Sequence, residues 1–152
     1  MKASKASIDS FLSTRKVAIA GVSRDPKKFG HVVFKMLKEK GFEVYPVNPG
    51  TDNIAGVPCF RNVSALPLSI HSLVIITPKS QTREVVAEAI SKGIDNIWIQ
   101  QMSDTVEAVE LAKTQPSLNL IAKECILMHI DPVTGIHKFH RSIKMFFGLY
   151  PK

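Results

Sequence analysis

The sequence predicts a doubly wound α/β domain, a mostly parallel sheet with helices on both faces. Three observations carry this reading. Short apolar runs rich in Val and Ile alternate with segments of helical periodicity, and the joints between them are short and polar. The first run, Lys16-Val17-Ala18-Ile19-Ala20, ends in Gly21-Val22-Ser23 and leads through a polar stretch to Gly30 and a helical pattern. A strand, a tight turn and a helix in that order place an anion at a helix N-terminus, where backbone N–H groups point outward.

In chain order, strands are expected at Lys16–Ala20, Glu43–Val47, Val57–Phe60, Ser72–Thr77, Asn96–Gln100 and Leu118–Ala122. The first helix, Gly30–Lys40, carries Val32, Val33, Met36 and Leu37 on one face and Lys35, Lys38 and Lys40 on the other, with Gly41 at its C′ position. A second turns Val85, Val86, Ala89 and Ile90 inward and ends at Gly93. A third opens with the capping-box spacing of Asp104-Thr105-Val106-Glu107, buries Ala108, Val109, Leu111 and Ala112, and stops before Pro116. This order implies three right-handed crossovers. The stretch from Asn48 to Gly56 reads as a loop inside the domain. Beyond Cys125 the rhythm changes: Ile126-Leu127-Met128 extends a strand, Asp131 to Gly135 turns, and Ile136–Phe147 fits an amphipathic helix with Ile136, Phe139, Ile143 and Phe146 or Phe147 on its apolar face. That face needs a cover, either the domain or a second copy, and a homodimer through this helix is the favoured arrangement.

Composition bounds the rest. With 152 residues and 45% hydrophobic content the chain fills one core, so a single domain is expected over 1–152, with a core at about 15–128 and an extension at 129–152. Cys59 and Cys125 lack metal-ligand spacing, no apolar run is long enough to cross a bilayer, and Met1 to Ser7 lacks an apolar segment behind its lysines. The expectation is a reduced, cytoplasmic protein without membrane contact. A net charge of +7 favours anionic partners, yet the lysines are scattered and aromatics, 7% of the chain, do not interleave with arginines, which argues against nucleic acid.

The turn after the first strand departs from the dinucleotide fingerprint, with Ser23 in place of its second Gly and Pro26 in place of its third. The second strand ends Val44-Tyr45-Pro46-Val47-Asn48-Pro49, without the acid that takes a ribose 2′-hydroxyl. These departures point away from NAD and toward another phosphorylated adenosine ligand. Gly21 lets the backbone approach a phosphate, Val22 follows it, Ser23 offers a hydroxyl, and Arg24, Lys27 and Lys28 add charge. Each of those cations is equally well explained by a solvated loop. Phe29 either flanks an adenine or anchors the helix start. Asn48-Pro49 and Thr77-Pro78-Lys79 end two strands at the carboxyl edge, where open α/β sheets bind ligands. An Asx-Pro turn accounts for Asn48 equally well. Cys125 at the same edge is either a thiol facing the ligand or an inert buried residue. His129, Asp131, His137 and His140 are the only candidate metal cluster, but their spacing matches no ligand geometry and no metal is expected. Trp98 belongs to the core.

Taken together, Val17-Ala18-Ile19-Ala20-Gly21-Val22-Ser23, Tyr45-Pro46-Val47-Asn48-Pro49, Gly56-Val57-Pro58, Thr77-Pro78, Ile97-Trp98-Ile99-Gln100 and Glu124-Cys125-Ile126 give a sequence that resembles the small single-domain CoA-binding proteins. Their domain is similar to the N-terminal domain of the succinyl-CoA synthetase alpha subunit. The resemblance runs from about Arg15 to Met128 and implies a Rossmann-like fold binding CoA or acyl-CoA, with Gln100 and Met102 near the ligand and Thr77-Pro78 along the pyrophosphate and pantetheine path. One departure is visible: the family often has Gly soon after its Trp-x-Gln strand, where this chain has Gln101-Met102-Ser103. The expected function is non-catalytic binding, with a CoA-responsive regulatory module as one form of it, since no nucleophile–base pair or paired carboxylates occupy the ligand edge. The rival readings are an NAD(P)-dependent oxidoreductase and a partner subunit of an acyl-CoA ligase.

Overall fold

The computed structural model describes residues 3–130. The expected tail helix Ile136–Phe147, the turn before it and Asp131, His137 and His140 lie outside the described residues. Five strands form one parallel sheet: β1 (Lys16–Ala20), β2 (Glu43–Val47), β5 (Ser72–Ile75), β6 (Asn96–Gln100) and β7 (Asn119–Glu124), in the order β2-β1-β5-β6-β7. Sequential strands run outward from β1 to β2 and then, across β1, from β5 to β7, so the chain reverses direction in the sheet between β1 and β5. That reversal is the topological switch point, and ligands of such sheets lie outside the strand ends there.

Period-two alternation sorts the strand side chains onto two cores. Val17, Ile19, Val74, Trp98 and Ile121 face one side, under α1 (Lys5–Ser13) and α2 (Phe29–Glu39). Ala18, Ala20, Leu73, Ile75, Ile97 and Ile99 face the other, under α3 (Lys79–Lys92) and α4 (Val106–Lys113). β2 carries Pro46 because it is an edge strand, where a missing N–H breaks no ladder.

Three expectations need correction, and one helix lies outside them. The run Val57–Phe60 is not a strand of the main sheet: β3 (Asn53–Ile54) and β4 (Val57–Pro58) form a two-stranded antiparallel hairpin, and Phe60 touches Val47 through a lone bridge. The turn at Ala55-Gly56 folds Val57 and Pro58 back onto Ile54 and Asn53, so this run spends its pairing on a local hairpin. Ile126–Met128 is a 3₁₀ turn, with the Met128 N–H donating to the Cys125 carbonyl at 3.0 Å. All three of its side chains are buried, which an apolar run permits equally in a turn and in a strand. The cap of α4 is Thr105, whose hydroxyl accepts from the Ala108 N–H at 3.1 Å; the acid at the expected capping-box position is one residue out of register. Finally, α1 is a helix the periodicity reading overlooked. Ser4 caps it, Ile8 and Phe11 are buried, and the Phe11 ring meets Trp98 edge-on at 5.4 Å.

Candidate functional site at the carboxyl edge

The turn after β1 is shaped by two close approaches. Gly21 has φ +95°, and a Cβ there would lie 2.6 Å from the Ile76 carbonyl oxygen, so no other residue fits between β1 and the end of β5. Gly30, in the first turn of α2, rests on Gly21 itself: a Cβ at Gly30 would lie 2.3 Å from the Gly21 oxygen. The close helix–strand packing supplied by the third glycine of a dinucleotide fingerprint is therefore supplied here by Gly30, at the far end of a longer turn.

That longer turn is held by its own polar groups. The Ser23 hydroxyl accepts from the Asp25 N–H at 3.1 Å, Asp25 Oδ1 accepts from the Lys27 N–H at 2.9 Å, and the Lys28 N–H donates to the Asp25 carbonyl at 3.1 Å. From the first turn of α2, His31 Nδ1 bonds the Ser23 carbonyl at 2.8 Å. His31 and Asp25 are structural parts of the site that sequence reasoning did not single out.

Helix starts differ across the molecule. Ser4 caps α1 and Thr105 caps α4, whereas α2 and α3 have no side-chain cap hydrogen bond and no acid in their first turns. The positive end of each of these helix dipoles lies beyond a strand end, an arrangement that can receive an anion, while the third amide of each, His31 and Gln81, already donates to the Lys28 and Pro78 carbonyls at 3.0 and 2.9 Å. The two ends flank the switch point.

Two depressions open at this edge. The first, of about 650 Å³, is lined by Gly21, Ser23, Asn48, Pro49, Thr77 and Pro78, and also by Arg61, Gln81, Glu84 and Glu88. The second, of about 430 Å³, is lined by Phe29, Ile76, Gln100, Gln101, Met102, Ser103, Cys125 and Met128. Consecutive residues, Ile76 and Thr77, wall one cleft each.

Residues 15–131 match the family model of the CoA binding domain. The chain belongs to that family. It is 31% identical over 142 residues to the alpha subunit of acetate–CoA ligase [ADP-forming] II from Pyrococcus furiosus, a match that covers 92% of this chain and 31% of that protein. It is 28% identical over 111 residues to the uncharacterized protein YneT of Bacillus subtilis, covering 72% of this chain and 82% of that one. Among solved structures, a hypothetical protein from Pyrococcus horikoshii superimposes with a TM-score of 0.77 at 30% identity, covering 86% of this chain and 92% of that one. The chain spans about a third or less of the ligase polypeptides it matches.

Within this CoA binding domain the sequence-derived residues divide. Gly21, Ser23, Asn48, Pro49, Thr77 and Pro78 meet in the first cleft, while Phe29, Gln100 and Met102 meet in the second. Val22 is fully buried and contributes its carbonyl, which accepts from Asn48 Nδ2 at 2.7 Å. Asn48 Oδ1 accepts from the Gly50 N–H at 2.7 Å, so the Asx turn is real and both ends of this side chain already have a protein partner. The Thr77 hydroxyl lies 3.1 Å from the Thr82 hydroxyl, which donates in turn to the Ser103 carbonyl at 2.8 Å. Gln100 Oε1 accepts from the Ile126 N–H at 3.1 Å. Arg24, Lys27 and Lys28 stand exposed on the outside of the turn and line neither cleft. Lys79 faces a separate depression of about 520 Å³ beside Asp104, Thr105 and Lys123.

The cation that does line the first cleft is Arg61, which sequence reasoning missed; its only pattern signal was a basic residue just after Phe60. Cys59 sits close by, its Sγ 3.8 Å from the Asn48 carbonyl, and burial raises its thiol above the ordinary range. Cys125 is buried in the wall of the second cleft. Behind that wall His129 Nε2 lies 3.2 Å from Glu124 Oε2, and the His129 ring lies 5.5 Å from Trp98. Among the described residues no three His, Cys, Asp or Glu side chains form a metal-binding group, and no helix is long and apolar enough to cross a membrane.

Proposed function

We propose that this chain is a binding module for CoA, held across the carboxyl edge of the sheet at the switch point between β1 and β5. The observation that carries the reading is the seating of Gly30 on the Gly21 carbonyl, which brings the uncapped first turn of α2 directly over the end of β1. Phosphate oxygens there take backbone N–H groups and the helix dipole, with no acid in the first turn to oppose them. The exposed Arg24, Lys27 and Lys28 and the cleft residue Arg61 supply cations for the pyrophosphate and the 3′-phosphate. Glu84 and Glu88 line the same cleft as acceptors suited to ribose hydroxyls or an adenine amine, with Glu88 Oε2 already accepting from the Val63 N–H at 3.1 Å, and they would repel a phosphate. Asn48 acts by joining the two loops of the site, not by reading the ligand.

Calorimetric titration with CoA, dephospho-CoA and NAD tests this reading. CoA is expected to bind best, and stronger binding of NAD would favour the oxidoreductase alternative.

A second reading is favoured by the ligase relatives: the chain serves as the CoA-holding part of an ADP-forming acyl-CoA ligase, with the rest of the reaction carried out by a partner chain. In either case the chain alone is a non-catalytic module. Incubation with CoA, a carboxylic acid and a nucleotide triphosphate is expected to give no product. Repeated turnover that survives repurification would overturn that claim.

A further inference from the structure

We propose that the second cleft is an acyl seat, so that the ligand this chain prefers is a CoA thioester with an aliphatic acyl chain instead of free CoA. The inference rests on the CoA reading above and adds the chemistry of the neighbouring cavity. The two clefts differ in kind. The first is lined by Arg61, Glu84 and Glu88, whereas no charged side chain is among the described residues lining the second. Phe29, Ile76, Met102, Cys125 and Met128 give the second an apolar wall.

The mouth of that cleft breaks two ordinary rules of a solvated surface. Phe29 and Met102 are two of the four large hydrophobic residues left exposed among the described residues, and Met102 is 76% exposed. Met102 also stands at φ +78°, in the left-handed region that favours glycine. A bulky apolar side chain on a strained backbone at the rim of a cavity is an arrangement found where function, not folding, holds the residue in place. Methionine is flexible and polarizable, and so can close over chains of different length.

Continuity leads the pantetheine arm, and with it the acyl group at its end, toward that cleft. Ile76 and Thr77 are adjacent in the chain, one in each cleft, and Phe29 opens the helix whose first turn is proposed to hold the phosphates. A ligand with its phosphates on α2 has its polar end in one cleft and passes Ile76 to reach the other. Gln100 Oε1 accepts from the Ile126 N–H, so that oxygen already has a protein partner at the cleft.

The test is titration of the full chain with CoA and with acetyl-, butyryl-, hexanoyl- and octanoyl-CoA, repeated on Met102→Gly and Phe29→Ala. Met102→Gly suits the left-handed backbone, so its fold is not at risk. Affinity is expected to rise by about two- to fourfold for each added methylene until the cleft is full. The ratio of octanoyl-CoA to CoA affinity is expected to fall at least threefold in both variants. If CoA binds and all the thioesters bind within twofold of it, the acyl seat is wrong and the CoA site stands. If neither CoA nor any thioester binds, both readings fail together. Length dependence that survives both substitutions unchanged would place the acyl chain elsewhere and overturn the assignment.

Discussion

Asn48 Nδ2 donates to the Val22 carbonyl at 2.7 Å, so the residue that ends β2 holds the turn that follows β1. Its Oδ1 accepts from Gly50 at the same distance, and one side chain thereby fixes two loops of the ligand edge. Asn48→Ala leaves the buried Val22 carbonyl and the Gly50 N–H without these partners. A loss of about 1–3 kcal/mol in stability is expected from chemical denaturation, together with weaker CoA binding. Asn48→Asp is expected to be at least as harmful, because a carboxylate would face the Val22 carbonyl and cannot donate to it.

Gly30→Ala is expected to destabilise the fold by about 1–3 kcal/mol, since its Cβ would meet the Gly21 backbone at 2.3 Å and backbone cannot swing aside. The urea midpoint should fall with an unchanged slope. The same substitution at Gly41, where a Cβ meets nothing within 4 Å but φ is +84°, supplies the comparison that separates steric clash from backbone strain.

Phe11→Ala is expected to cost about 3–5 kcal/mol, because α1 buries this ring fully against Trp98. The emission of Trp98, the single tryptophan, should shift as its neighbour is removed, and an unchanged melting temperature would mean that α1 does not support the core.

Cys59 gives a pH signature. Burial raises its thiol pKa in the folded chain, so the folded state prefers the neutral thiol. The stabilisation linked to this group is present in full below the unfolded-state value and is lost as pH rises through the higher folded value. Alkylation of Cys59 at neutral pH should be slower than that of an unfolded cysteine and should rise with a midpoint above that of the unfolded chain. The rate is best followed in a Cys125→Ala background, and a midpoint below that of the unfolded chain would contradict the burial argument.

Much of this architecture was legible because each sheet strand sits in a setting that leaves a pattern. β1 and β6 are buried on both faces and read as short continuous apolar runs; Gly93 marks the end of α3 where the sequence placed it. What escaped notice lacks such a signature. Only Ile8 and Phe11 of α1 are buried, and its polar residues look like an ordinary N-terminal tail. The hairpin of β3 and β4 has two residues in each strand, too few for periodicity. At the site, the strand-end residues were readable from topology, since any residue just past a parallel strand lies at the carboxyl edge. Arg61, Gln81, Glu84 and Glu88 were not, because their place in the first cleft depends on how the loop after the hairpin and the face of α3 come together in space. The role of Gly30 was hidden by spacing: the fingerprint looks for its third glycine at Pro26, and the longer turn moves that contact along the chain.

The central claim is that the turn between Gly21 and Gly30 holds the phosphates of CoA, and calorimetry on the wild type and on Arg24→Ala, Lys28→Ala and Arg61→Ala tests it most directly. CoA is expected to bind more tightly than dephospho-CoA, NAD, NADP or ATP. Removal of a cation that makes a charge-assisted hydrogen bond should cost about 1.5–3 kcal/mol, or about ten- to a hundredfold in Kd, for at least one of the three variants. Tighter binding of NAD, or CoA affinity indifferent to all three substitutions and to the 3′-phosphate, would contradict it.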